Sequence, residues 1–187
     1  EYKFIVPCMN TDKICVFTNL GLMHQIKVLD IPAGKFRDKG VPIDNLCNYD
    51  SAKEYIIQVL DVQTMIHSTL LFATAKSMLK VMDGDLLNAS KRTVQATKLS
   101  EDELVAVIVA DWSEESEDKV VLQTKDGVFL KFPYAEIPKK KKSALGVRGM
   151  KLSKDDLITN VYVMDAQNIS SIMYKEKELE FNRLKLS

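Results

Sequence analysis

Seven cations fall within sixteen residues: Lys139, Lys140, Lys141, Lys142, Arg148, Lys151 and Lys154, with no acid among them. Lysine and arginine at that density do electrostatic rather than covalent chemistry. They neutralise phosphates and release counterions, which gives salt-dependent, sequence-tolerant binding to nucleic acid. Taken alone, such a run is equally well a solvated loop. Two smaller basic groups accompany it, Lys35, Arg37 and Lys39, then Lys91, Arg92 and Lys98. No rival chemistry stands out. Cys8, Cys15 and Cys47 show no paired spacing and His24 and His67 are far apart, so neither a disulfide framework nor a zinc site is expected. Cys8 and Cys15 lie in apolar runs and read as small hydrophobes. No P-loop, acidic metal cluster or Ser-His pair occurs, so no catalysis and no metal are expected here.

The charge total argues the other way. The 187 residues hold 26 Lys+Arg and 26 Asp+Glu, a formal net charge of zero, whereas nucleic-acid binders usually carry a basic excess. The objection lapses if the signs are segregated. Asp111, Glu114, Glu115, Glu117 and Asp118 put five acids into one eight-residue connection, and Asp155 and Asp156 sit at a turn. With 46% hydrophobic and 28% charged residues the chain is a folded domain. No run of 18 apolar residues suggests a membrane span. The opening EYKFIVPCMN has no basic leader ahead of an apolar stretch, and without an initiating methionine the chain reads as a fragment.

The elements that would position the cations repeat. TNLGLMHQIKVLDIP from Thr18 matches TKDGVFLKFPYAEIP from Thr124 without a gap, and Gly40-Val41 and Leu46 fall on Gly146-Val147 and Leu152. A degenerate copy, TAKSMLKVMDGDLL, starts at Thr74, with a turn expected to be one residue shorter; its Val94–Leu99 occupies the place of VRGMKL. A fourth opening stands at Tyr174, where Lys177 replaces the glycine. The openings are 56, 50 and 50 residues apart. A period near 50 residues indicates propeller-type blades. Each unit reads as a short apolar strand (KICVFT, TLLFAT, KVVLQT), a tight turn, a second strand, a polar loop, a strand of the GVRGMKL type and a closing apolar run. The polar loops are residues 33–39, 88–92 and 139–144; the closing runs are 55–62, 103–110 and 157–164, whose Val and Ile content favours strands. Blades bury both faces only by stacking on neighbours.

This unit resembles the C-terminal repeat of the A subunit of bacterial type IIA topoisomerases, DNA gyrase and topoisomerase IV. The best copy runs from Thr124 to Leu152, and its most specific piece is Gly146-Val147-Arg148-Gly149 with Leu152. Lys91-Arg92-Thr93 matches a basic stretch of the family, and the resemblance spans Phe4 to Leu186. It implies an all-β fold, a β-pinwheel of four-stranded blades that exchange strands and bend duplex DNA around a basic rim. About three complete blades and a partial one are expected, as an open arc or truncated ring forming one domain over residues 1–187. It also implies a cytoplasmic, nucleoid-associated bacterial protein working with the rest of its A subunit in an A2B2 enzyme. ATP and Mg2+ are then expected elsewhere in that enzyme and no cofactor here.

Two departures stand out. The gyrase signature, a glutamine before a basic diglycine box, is absent; Gly34–Gly40 (GKFRDKG) is not that box, so it either precedes this sequence or the parent is of the topoisomerase IV type. The middle unit has Thr93 and Ala96 where the best copy has its two glycines. The family's cleaving tyrosine follows an arginine. None of Tyr2, Tyr49, Tyr55, Tyr134, Tyr162 and Tyr174 does, so they read as core or interface aromatics. In repeat register the expected DNA-binding residues are Lys35, Arg37, Lys39, Lys91, Arg92, Lys98, Lys139, Lys140, Lys141, Lys142, Arg148 and Lys151. Arg148 has two uses open to it, a phosphate or a neighbouring blade's carbonyls. The alternative to DNA is a propeller that serves as a protein-interaction platform.

Overall fold

The computed structural model describes residues 3–164 and 171–187, so Tyr2 lies outside the described residues. Each unit opens with an antiparallel hairpin. The first is β1 (Lys13–Thr18) and β2 (Leu22–Lys27), with β3 (Ile56–Asp61) closing the unit and the one-turn helix α1 (Val62–Ile66) after it. The second is β4 (Thr69–Thr74) and β5 (Met78–Asp83), followed by β6 (Thr93–Gln95) and β7 (Leu104–Val109). The third is β8 (Lys119–Thr124) and β9 (Phe129–Pro133), followed by β10 (Val147–Arg148) and β11 (Ile158–Met164). A last hairpin joins β12 (Ser171–Tyr174) to β13 (Lys177–Glu180).

Sequence units and sheets are out of phase. The first sheet runs β3-β1-β2-β6 and the second β10-β5-β4-β7, so each fourth strand comes from the following unit. The third sheet, β11-β8-β9, has three strands among the described residues. Two backbone bonds repeat at the exchange. Ala96 N–H donates to Gly21 O at 2.8 Å, and Gly149 N–H donates to Ser77 O at 2.8 Å. Ala96 therefore takes the place of Gly149, and the middle unit's departure from the glycine pattern leaves the geometry intact. Gly40-Val41 of the first unit forms no strand.

The turns explain the threonine and the glycine. Thr18, Thr74 and Thr124 are buried, and each carbonyl accepts the N–H three residues on, at 2.9 to 3.0 Å. The hydroxyls of Thr74 and Thr124 then accept Met78 N–H (3.0 Å) and Val128 N–H (3.1 Å). The expected shorter turn in the second unit is corrected: Ser77 occupies the glycine position at φ 66, beside Gly21 at φ 70 and Gly127 at φ 84, and the turn keeps its length. Ser77 accepts that left-handed backbone because its buried hydroxyl takes Met150 N–H from the exchanged segment at 2.8 Å.

Strand periodicity builds the core. Along β4, Leu70 and Phe72 face the first sheet, packing with Cys15, Phe17 and Met23, and Phe17 meets Phe72 edge-on at 6.2 Å. Leu71 and Ala73 face the third sheet, with Val120, Leu122 and Tyr134. Both faces of β4 are thus buried, which is why TLLFAT reads as a continuous apolar run rather than an alternating one. Cys15 is fully buried as expected and its thiol is pushed up to about 12 by burial, whereas Cys8 is exposed. Tyr134 is a core residue, while Tyr55 is exposed.

The acids before the closing strands are structural. Asp102 Oδ1 accepts Lys76 N–H at 3.0 Å and Asp156 Oδ1 accepts Asp126 N–H at 3.1 Å, each closing a turn. In the first unit Glu54 takes that place. Its Oε1 accepts from the Thr18 hydroxyl (2.7 Å) and meets His24 Nε2 (2.9 Å), while His24 Nδ1 meets the Thr93 hydroxyl of the exchanged strand at 2.9 Å. Burial opposes charge on Glu54, but the bonds from Asp50 N–H, His24 and Thr18 outweigh it and hold its carboxyl below the usual glutamate value.

The exchange also explains the glycines of GVRG. Gly146 has φ 99, and a Cβ there would lie 2.4 Å from Leu79 O. Strain and clash combine, so Gly146→Ala is expected to cost about 2 kcal/mol or more. A chemical-denaturation midpoint checks this; an unchanged midpoint would show that β10 does not sit against β5 as described.

Candidate nucleic-acid interface

The exchange brings the second and third units' basic residues together. The loop after β5 and the loop after β9 line one open hollow of about 1080 Å³, which contains Lys91, Lys98 and Lys142. Lys98 also lines a second hollow of about 210 Å³ with Lys76 and Arg148. Lys76 and Arg148 in turn line a third, of about 470 Å³, with Lys151. Shared residues link the hollows, so six cations form one continuous track across the exchanged strands. A backbone bond joins the two loops directly, from Lys98 N–H to Lys142 O at 3.1 Å.

The other expected residues fall differently. Arg92, Lys140 and Lys141 are exposed on the same loops. Lys139 is exposed but paired with Asp83 at 2.7 Å. Lys35, Arg37 and Lys39 line none of these hollows. Their loop is exposed throughout, with Arg37 stacked 5.5 Å from the centroid of the 84%-exposed Phe36 ring. The reason is local: the Gly40-Val41 copy pairs with no sheet among the described residues, so nothing docks this loop as β6 and β10 dock the other two.

Arg148 lies on β10 opposite Met78. At the matching position of the first exchange, Gln95 Nε2 donates to Gly21 O (3.3 Å) and Thr97 O (2.7 Å), so the inter-blade use is realised there by glutamine. Arg148 makes no ion pair or side-chain hydrogen bond among the described residues and is exposed beside Lys76 and Lys151.

Lys76 is missing from the expected residues. It sits in the Thr74 turn, where the neighbouring units carry Leu20 and Asp126, so repeat register gave no signal. Three acids also line the track, Asp102 in the second hollow and Asp155 and Asp156 in the third, where Asp102 and Asp156 accept turn amides; other acids gather elsewhere. A separate hollow contains Asp83, Asp85 and Asp111 with Thr69. Asp83 and Thr69 pair at one end of the β4–β5 hairpin, and Lys76 caps the turn at the other. Lys76 and the Asp83 cluster thus occupy opposite ends of one hairpin of two six-residue strands. Among the described residues no three His, Cys, Asp or Glu side chains group so as to hold a metal ion.

Comparison with known proteins gives a consistent result. The family model described as DNA gyrase C-terminal domain, beta-propeller, matches residues 12–59, 68–111 and 118–163. The A subunit of DNA gyrase from Chlamydia pneumoniae is 31% identical over 159 residues, which are 82% of this chain and 18% of that protein. The chain thus spans about a fifth of the curated relatives it matches. Among solved structures, the C-terminal domain of a DNA topoisomerase IV superposes with a TM-score of 0.82 at 22% identity, covering 95% of this chain and 56% of the other. A DNA gyrase A C-terminal domain superposes with a TM-score of 0.59 at 21% identity, covering 84% and 50%. At these identities the superpositions speak to the β-pinwheel fold.

The geometry separates two lysines of the run. Lys142→Glu places a negative charge inside the track and is expected to weaken duplex binding about tenfold or more at roughly 100 mM salt. Lys139→Glu removes a cation already paired with Asp83 and is expected to cost about threefold or less under the same conditions. Fluorescence anisotropy with a labelled duplex measures both, and equal losses would contradict the track.

Proposed function

The chain belongs to the DNA gyrase C-terminal domain, beta-propeller family, and from that premise we propose that it binds duplex DNA along the basic track and bends it as the duplex passes from one blade to the next. The observation that carries the reading is the continuity of Lys91, Lys142, Lys98, Lys76, Arg148 and Lys151 through hollows that share residues. Cations spread along a curved path follow a phosphate backbone and read no base, so the binding is sequence-tolerant. Bending a short duplex by tens of degrees costs on the order of a few kcal/mol, which several phosphate contacts can offset.

In this reading the 187 residues act as one DNA-binding domain of a topoisomerase A subunit. It presents duplex for strand passage and contributes to supercoiling control. DNA cleavage and ATP hydrolysis belong to other parts of an A2B2 bacterial, cytoplasmic enzyme. The remaining expected contacts, Lys35, Arg37, Lys39, Arg92 and Lys139 to Lys141, flank the track as secondary phosphate partners. The zero net charge favours a second reading in one respect. A neutral domain suits the topoisomerase IV role, in which DNA crossings are guided without strong wrapping. Nicked circles religated with the chain bound separate the two, because only chiral wrapping shifts the linking number.

Six phosphate contacts imply a slope of log affinity against log salt of about −5, or roughly a thousandfold loss between about 50 and 200 mM salt. Anisotropy titrations across that range measure the slope. A slope near zero, or no binding at the lower salt, would favour the protein-platform alternative.

A further inference from the structure

Lys80 lies in the middle of β5 and is 1% exposed. No carboxylate pairs with it among the described residues. Its Nζ instead donates to three backbone carbonyls, those of Lys141 (3.2 Å), Lys142 (3.1 Å) and Ala144 (2.8 Å), and sits 5.8 Å from the centroid of the Phe72 ring. Burial alone lowers its pKa to about 8. An ammonium buried without a counter-charge is costly to a fold. An apolar residue would fill the site at lower cost, so the charge points to a role that packing does not supply.

That role is visible in the partners. An ammonium has three donors, and here three carbonyls of one loop accept them. The loop is the lysine run. Lys142 O also accepts Lys98 N–H, so the ammonium sits beneath the junction of the two segments that line the first hollow. The charged residues on the segments that meet there are Lys98, Lys139 to Lys142 and, on the same strand, Asp83, which is already paired with Lys139.

The first blade solves the same problem with another residue. Gln25 of β2 donates through Nε2 to the carbonyls of Ala89 and Lys91. Counted back from Val94 and Val147 of the exchanged strands, Ala89 and Lys91 correspond to Lys142 and Ala144. Two different residues, at neighbouring rather than equivalent strand positions, thus hold the same two carbonyls of successive basic loops.

We infer that Lys80 is a positioning residue for DNA binding: its buried ammonium holds the backbone of residues 141–144 so that Lys142 and Lys98 meet the duplex from one hollow. The inference rests on the DNA-binding reading above, with Gln25 as its counterpart in the preceding blade.

The test compares the wild-type chain with Lys80→Met, Lys80→Gln and Lys80→Arg. Binding to a labelled duplex is measured across salt, and amide hydrogen exchange is followed at Ala144 and Lys98, whose N–H groups donate to the carbonyls of Lys141 and Lys142. Lys80→Met is expected to bind about tenfold more weakly at roughly 100 mM salt, with a salt slope shallower by about two contacts. It should also exchange faster at both amides, and Lys80→Arg should restore most of the binding. A folded Lys80→Met chain with wild-type affinity, slope and exchange overturns the inference. Should Lys80→Met fail to fold, Lys80→Gln decides in its place: wild-type binding and exchange without the charge would show that a neutral donor suffices and overturn the part assigned to the ammonium. A wild-type chain that binds no duplex overturns the DNA reading, while exchange at Ala144 and Lys98 still reports separately whether Lys80 holds the loop.

Discussion

One backbone hydrogen bond, made twice, organises the molecule. Ala96 N–H reaches Gly21 O, and Gly149 N–H reaches Ser77 O, each joining a strand of one unit to the turn of the unit before it. The approach is close enough that a Cβ on Gly149 would lie 2.2 Å from Leu79 Cδ1. Because the exchanged strand must lie on the preceding sheet, the loop leading to it crosses the seam between blades. That crossing sets the basic loops side by side. Without the exchange, Lys91 and Lys142 would belong to separate loops on separate sheets.

The same constraint explains the neutral charge. Acids and bases alternate in structural role rather than in sequence. Asp102 and Asp156 accept turn amides, and Glu54 holds His24 and Thr18, so these carboxylates are tied to the fold. Asp83, Asp85 and Asp111 gather at the hairpin end away from Lys76. Among the described residues the cations of the track make no such structural bonds through their charged groups. A sum over the chain cancels the two sets, whereas of the acids that line the track's hollows Asp102 and Asp156 are engaged by turn amides and Asp155 is exposed.

Much of this was legible in the residues. Thr18, Thr74 and Thr124 mark the turns because a buried hydroxyl or carbonyl at that place closes each hairpin, and the closing runs are strands as their Val and Ile content indicates. That blades exchange strands followed from the family resemblance and not from periodicity, while the structure alone shows Val94–Gln95 and Val147–Arg148 pairing with the preceding unit. Three features lay outside the pattern's reach. Ser77 replaces a glycine, because a tertiary bond to Met150 offsets its backbone strain. Lys76 has no cationic equivalent in the other units, so register could not point to it. Lys80 reads as one more charged residue in SMLKVMD, and only the meeting of its strand with the following unit's loop shows that it is buried. Conversely, Lys35, Arg37 and Lys39 share the register of the other basic loops but not their docking.

The central claim is that the DNA path follows the seam between exchanged strands rather than the basic surface at large. Reductive methylation of lysines with and without bound duplex, read by mass spectrometry, tests it most directly. Lys76, Lys91, Lys98, Lys142 and Lys151 should be protected by the duplex, while Lys119 and Lys53, away from the track, should react as in the free chain. Uniform protection of all surface lysines, or protection that spares Lys98 and Lys142, would contradict the account.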